Sequence, residues 1–129
     1  MASLTGINLG SGRTATSIAA GIFHTCALLD NGDVKCWGRN SYGQLGIDST
    51  TNMGNTSGDM ASLTGINLGT GRTANAIATG NHHNCAILDN SSVKCWGLNN
   101  RGQLGINSTT NMGNSSNTTD MASLDSVDL

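Results

Sequence analysis

The 129-residue sequence predicts an all-β fold made of tandem copies of one antiparallel strand unit. Three observations predict it. The chain repeats itself with a period of 59 residues: Met1 aligns with Met60, Cys26 with Cys85 and Trp37 with Trp96, and 42 of the 59 aligned positions are identical. Its apolar residues fall in short runs bounded by Gly and Asn, too brief for helices. Each copy also carries two cysteines placed to oppose each other across a tight hairpin.

In chain order, LTGINL at 4–9 reads as a weak strand, the fourth of its unit. TSIAAG at 16–21, HTCALLD at 24–30 and VKCWG at 34–38 read as the three principal strands, rich in β-branched and small residues and closed off by turn formers. GQLGIDSTTNMGNTSGD, which follows, reads as a short turn and a long polar loop. The second copy repeats this order, its loop lengthened by two residues (GNSSNTTD at 113–120). A third opens at Met121 as MASLDSVDL. The expected units are therefore residues 1–59, residues 60–120, and a third-copy start at 121–129 that serves as a closing or exchanged strand.

Composition limits what such units can do. Aromatics make up only 3% of the chain, so each unit has a thin core that needs external support. Net charge of −2, the absence of Pro and two Trp argue for order against disorder. Six Lys and Arg against eight Asp leave no basic stripe, which argues against a nucleic-acid footprint or an anionic membrane surface as partner. No apolar run approaches the roughly 20 residues of a membrane span. The first ten residues lack the basic start and apolar middle of a secretory leader and recur from Met60, so Met1 occupies a repeat position.

The cysteines supply the support. With DNG at 30–32 as a three-residue hairpin loop, Leu29 faces Asp33 and Cys26 falls opposite Cys36. The second copy sets Cys85 opposite Cys95 across a loop in which Ser91 takes the place of Gly32. Of three connectivities, the expected pair is Cys26–Cys36 and Cys85–Cys95. Each bond is worth about 3 kcal/mol in the chain-entropy model and implies an oxidising, extracellular or cell-surface location. The competing metal reading groups His24 with Cys26 and Cys36, and His82 or His83 with Cys85 and Cys95. It lacks the CxxC knuckles of structural zinc sites. No metal or cofactor is expected.

The stretch HTCALLDNGDVKCWGRNSYGQLG and its counterpart HNCAILDNSSVKCWGLNNRGQLG resemble the repeat of the regulator of chromosome condensation family, especially its bacterial and environmental members. The resemblance covers nearly all of both copies. It implies that each copy is a four-stranded blade of a β-propeller, with Trp37, Trp96, His24 and His83 at the family's blade-packing positions. The family usually closes a ring of about seven blades from shorter units, so the chain is expected as an open two-blade unit completed by neighbouring chains or by a longer array. Exchange-factor activity on a small GTPase, known for the namesake, uses a complete ring and is not carried over.

The remaining motifs are weighed against plainer readings. The glycines of LGSGRTA and LGTGRTA lack the helix that a phosphate cradle requires and read as turns. Arg13 and Arg72 beside them are expected to bond carbonyls or a nearby Asp. A sugar-stacking role for Trp37 and Trp96 competes with their packing role. With three histidines, no paired Glu and no nucleophile elbow, no catalytic residues are assigned. Sequons at Asn55, Asn90, Asn107, Asn114 and Asn117 mark candidate N-glycosylation sites, four of them in the polar loops.

A blade buries its faces against its neighbours, so two blades leave two faces open. The expected function is a non-catalytic extracellular structural repeat protein, a building block of a filament or surface assembly formed by head-to-tail self-association. The alternative is a protein- or glycan-binding propeller module, whose recognition face would differ between copies as Phe23 against His82 and Tyr42 against Arg101 do.

Overall fold

In a computed structural model, which describes residues 3–115 and 118–129, each copy folds into one antiparallel three-stranded sheet. The first holds β1 (Ala15–Ala20), β2 (His24–Leu29) and β3 (Val34–Gly38), in that order. A single helical turn, α1 (Asp59–Ser62), ends the expected polar loop and opens the second copy. The second sheet holds β4 (Ala74–Thr79), β5 (His83–Leu88) and β6 (Val93–Gly97). The all-β, open partial-propeller architecture is the one expected from the sequence.

The register follows from the turns. Leu29 N–H donates to the Asp33 carbonyl at 2.9 Å, closing a three-residue loop that needs one left-handed residue. Gly32 supplies it at φ 84°, and Ser91 at φ 68° in the second copy. Counting outward sets Cys26 opposite Cys36 and Cys85 opposite Cys95. Both pairs are disulfide-bonded, with Cα atoms 4.1 and 4.0 Å apart.

The predicted fourth strand is corrected. Residues 4–9 form no strand, and Leu4 and Ile7 are 69% and 55% exposed. Their second-copy counterparts Leu63 and Ile66 are buried, at 4% and 8%, because residues 63–68 run along the β3 edge of the preceding sheet, where Ile66 N–H donates to the Val34 carbonyl at 2.9 Å. The third-copy start behaves identically: Val127 N–H donates to the Val93 carbonyl at 2.8 Å, and Leu124 is buried. Each sheet is thus closed by the opening segment of the next copy. The same edge receives a single bridge from its own copy, Gly38 to Met53 and Gly97 to Met112.

One core spans both sheets. Cys26, Leu28, Val34 and Cys36 share the face of the first sheet that turns toward the second, and pack with Ala86, Leu88 and Trp96 in one cluster. The GQLG turn of the first copy approaches so closely that a Cβ on Gly46 would lie 2.8 Å from Trp96 Nε1, which requires glycine there. Buried Asn40 holds this turn in place, its side chain accepting from Leu45 N–H and donating to the Ser49 and Thr51 carbonyls. Asn99 does the same in the second copy.

Candidate interaction surface

The joint between the two sheets defines what the chain's faces can bind. At its polar centre His24 Nε2 and Asn84 Oδ1 lie 2.7 Å apart, while Asn84 Nδ2 donates to the Gln44 carbonyl at 2.6 Å. Because the Asn84 amide nitrogen is committed to Gln44, its oxygen must accept, so His24 carries its proton on Nε2. Its Nδ1 is buried and makes no hydrogen bond among the described residues. Burial pushes the His24 pKa below its ordinary value against the opposing effect of the Asn84 bond, and neighbouring His82 and His83 push it further down. His83 is lowered mainly by its own burial, with a smaller contribution from His82. Burial therefore favours the neutral imidazole at both His24 and His83.

At the rim of the joint the Tyr42 and His82 rings lie 5.2 Å apart, and Ile22 N–H donates to the Asn81 carbonyl. At the opposite end Ala74 N–H donates to the Gly32 carbonyl at 2.8 Å, and a Cβ on Gly32 would sit 2.6 Å from Thr73 Cβ.

Some positions that are buried at this joint lie open on the outer faces, although Ala27, Leu29 and Cys95, the counterparts of Ala86, Leu88 and Cys36, are buried there as well. Leu28 is 6% exposed at the joint, whereas its counterpart Ile87 is 48% exposed on the far side of the second sheet. There Ala76, Ala78, Ile87 and Val93 line an apolar groove of about 300 Å³. On the near side of the first sheet Ile18 is 65% exposed, while its counterpart Ile77 packs against the core. In the turn between β1 and β2, Ile22 and Phe23 are 51% and 59% exposed, with the Arg39 guanidinium 5.8 Å from the Phe23 ring centre. Phe23 and Arg39 border a cleft of about 380 Å³ that also touches Asn52 and Asn55. Exposed apolar side chains that line a groove or cleft mark candidate interaction surfaces.

The other sequence-derived positions fall as follows. Trp96 is fully buried at the joint, while Trp37 is half-buried on the outer near face. His24 is buried and His83 half-buried. Asn55, Asn90 and Asn107 are exposed. Asn90 spends its side-chain oxygen on Ser92 within the hairpin turn. Asn114 is half-buried with its side-chain oxygen enclosed, and Asn117 lies outside the described residues. Arg13 and Arg72 pair with Asp30 and Asp89 at 3.6 and 3.5 Å. Among the described residues, no group of three or more His, Cys, Asp or Glu is placed to hold a metal, and no helix is long and apolar enough to cross a membrane. Sequence reasoning missed Asn84, for which the change from Thr25, the one polar difference between the HTCALL and HNCAIL strands, was the available signal.

Stacked, disulfide-stapled antiparallel sheets, each closed by the next copy's opening segment, define a propeller-type repeat protein. Residues 15–44 and 75–103 match the family described as the Regulator of chromosome condensation (RCC1) repeat, so each copy carries a repeat of the RCC1 type. It is 33% identical over 90 residues to the probable E3 ubiquitin-protein ligase HERC4 of Homo sapiens, covering 70% of this chain and 8% of that protein. Protein pim1 of Schizosaccharomyces pombe is 32% identical over 90 residues, covering 70% of this chain and 16% of pim1.

Among solved structures, yeast RCC1 (Prp20) bound to Kap60 superposes with a TM-score of 0.67 at 22% identity, covering 82% of this chain and 25% of that one. Saccharomyces cerevisiae Prp20p, described with its binding to Gsp1p and histones, gives 0.66 at 19%, covering 94% and 27%. These likenesses establish the fold. The chain spans a small part of each relative it matches.

Proposed function

We propose that this chain is a non-catalytic protein-recognition module of the RCC1-repeat family that works outside the cytosol and binds through the outer faces of its sheet stack. The observation that carries this reading is the exposure of joint-type apolar positions, Ile18 on one face and Ile87 on the other. Copy-specific residues support it: Phe23 and Arg39 on the open face replace His82 and Leu98. The similar structures, Prp20 bound to Kap60 and Prp20p with its binding to Gsp1p and histones, favour a protein over a sugar as the ligand. Two disulfides favour an oxidising compartment, where exposed Asn55 and Asn107 are the sequons best placed to carry glycans.

A phage-displayed peptide library panned on the oxidised chain tests the reading. Selected peptides are expected to lose about ten-fold in affinity, about 1.4 kcal/mol, on Phe23→Ala or Ile87→Arg and none on Ser57→Ala. A panel of immobilised glycans run in parallel would overturn it if sugar binding appeared and depended on Trp37.

A further inference from the structure

We infer that Asn31 is a site of spontaneous covalent modification, where the main chain attacks the side-chain amide, expels ammonia and is reopened by water to aspartate and isoaspartate, loosening the contact between the two copies. Asn31–Gly32 is the only Asn–Gly pair in the chain, and Asn31 is exposed even with the second copy stacked against its loop. With no Cβ beside it, the Gly32 amide nitrogen is the least hindered nucleophile that can follow an Asn. The turn also brings the reacting groups together. Asn31 Oδ1 accepts from Asp33 N–H at 3.1 Å, and Asn31 Nδ2 donates to the Asp33 carboxylate at 2.9 Å. Both bonds reach past Gly32, so the side chain folds over the peptide whose nitrogen must attack its Cγ. The Asp33 N–H then donates to the oxygen on which negative charge develops. One contact opposes the attack, the 3.0 Å bond from Gly32 N–H to the Leu29 carbonyl, and at an exposed hairpin tip such a bond opens locally.

The step balances with water as the only co-reactant. Gly32 N gives its proton to water and bonds to Cγ; the Cγ–Nδ2 bond breaks, and Nδ2 takes a proton and leaves as ammonia. Water then opens the cyclic imide at either carbonyl. Opening at Cγ leaves an aspartate, whereas opening at the main-chain carbonyl leaves an isoaspartate, whose backbone runs through an extra methylene. A cleft of about 340 Å³ lined in part by Asn31, Gly32, Thr73 and Ala74 admits that water. The lengthened backbone falls where the copies touch, because the Gly32 carbonyl accepts from Ala74 N–H at 2.8 Å and a Cβ on Gly32 would lie 2.6 Å from Thr73 Cβ. Asn90–Ser91 is the internal control: Asn90 Oδ1 accepts from Ser92 N–H at 3.1 Å in the equivalent loop, but Ser91 carries the Cβ that Gly32 lacks.

The oxidised full chain, held for weeks at mildly alkaline pH and mapped by peptide mass spectrometry with isoaspartate-specific methyltransferase labelling, tests the proposal. Residue 31 is expected to exchange its amide NH2 for OH at least about ten-fold faster than residue 90. Ser91→Gly, which replaces a left-handed serine at φ 68°, should bring residue 90 up to the rate of residue 31. Asn31→Gln, at an exposed position, requires a larger ring and should stay intact over the same period. Amide hydrogen exchange at Ala74 should quicken several-fold in the isoaspartate fraction and stay unchanged in Asn31→Gln incubated alongside. Equal rates at residues 31 and 90, or no acceleration by Ser91→Gly, overturn the site. An isoaspartate fraction whose Ala74 amide exchanges as slowly as in the fresh chain overturns its effect on the contact between the copies.

Discussion

Trp37 and Trp96 sit in identical pentapeptides, VKCWG, at the same place in the same strand, so their local sequence predicts equal effects of substitution. Their surroundings differ. Trp96 is 0% exposed beneath the Gly46 turn of the preceding copy, and Trp37 is half-buried on an open face. Trp96→Ala therefore removes a full side chain from the joint and leaves a cavity, at a cost of about 3–5 kcal/mol. Trp37→Ala removes about half that burial with water free to fill the gap, and should cost about 1–2 kcal/mol. The difference, about 2–3 kcal/mol, corresponds to a shift in urea midpoint of roughly 1 M or more for a slope of about 2 kcal/mol/M. The assay is urea unfolding of both oxidised variants by far-ultraviolet circular dichroism, at concentrations where the chain is monomeric. Equal losses, or a larger loss for Trp37→Ala, would refute the argument that neighbour stacking, and not strand identity, sets what each blade residue contributes.

Three further outcomes follow from the same structure. Asn84→Ala strands His24 Nε2 and the Gln44 carbonyl without their 2.7 and 2.6 Å partner and should cost about 1–3 kcal/mol, whereas Thr25→Ala, at the open counterpart, should change the urea midpoint little. Acidification should weaken the fold. His24 and His83 have folded-state pKa values below the 6.5 of the unfolded chain, so as pH falls through 6.5 the unfolded state takes up protons first and the urea midpoint drops; a flat midpoint between pH 7.5 and 5 would contradict this. Reduction of both disulfides, each spanning a sequence separation of 10, should remove about 3 kcal/mol per bond and lower the melting temperature measured with and without reductant.

What the sequence made legible was whatever depends on short range. The DNG loop dictates the β2–β3 register, the register sets cysteine opposite cysteine, and turn residues bound each strand. The pairing of Arg13 with Asp30 belongs to the same class, being settled across one pair of neighbouring strands. What it hid was phase. LTGINL occurs at 4–9 and again at 63–68, and pattern alone cannot say whether such a segment pairs with its own copy or with the one before. Backbone geometry decides: the chain leaves β3, makes one bridge at Met53, and reaches the β3 edge again only at Ile66, after α1. An opening segment can thus close only the preceding sheet. Segments with identical residues consequently have opposite fates, Leu63 buried and Leu4 exposed. The same asymmetry governs the faces. Ile18 and Ile77 share one identity and one strand position, and only the presence of a preceding sheet separates an open apolar side chain from a packed one. In a repeat protein an identical residue is therefore packed or open according to the sheet stacked against it, and its contribution is set by the stack and not by its own strand.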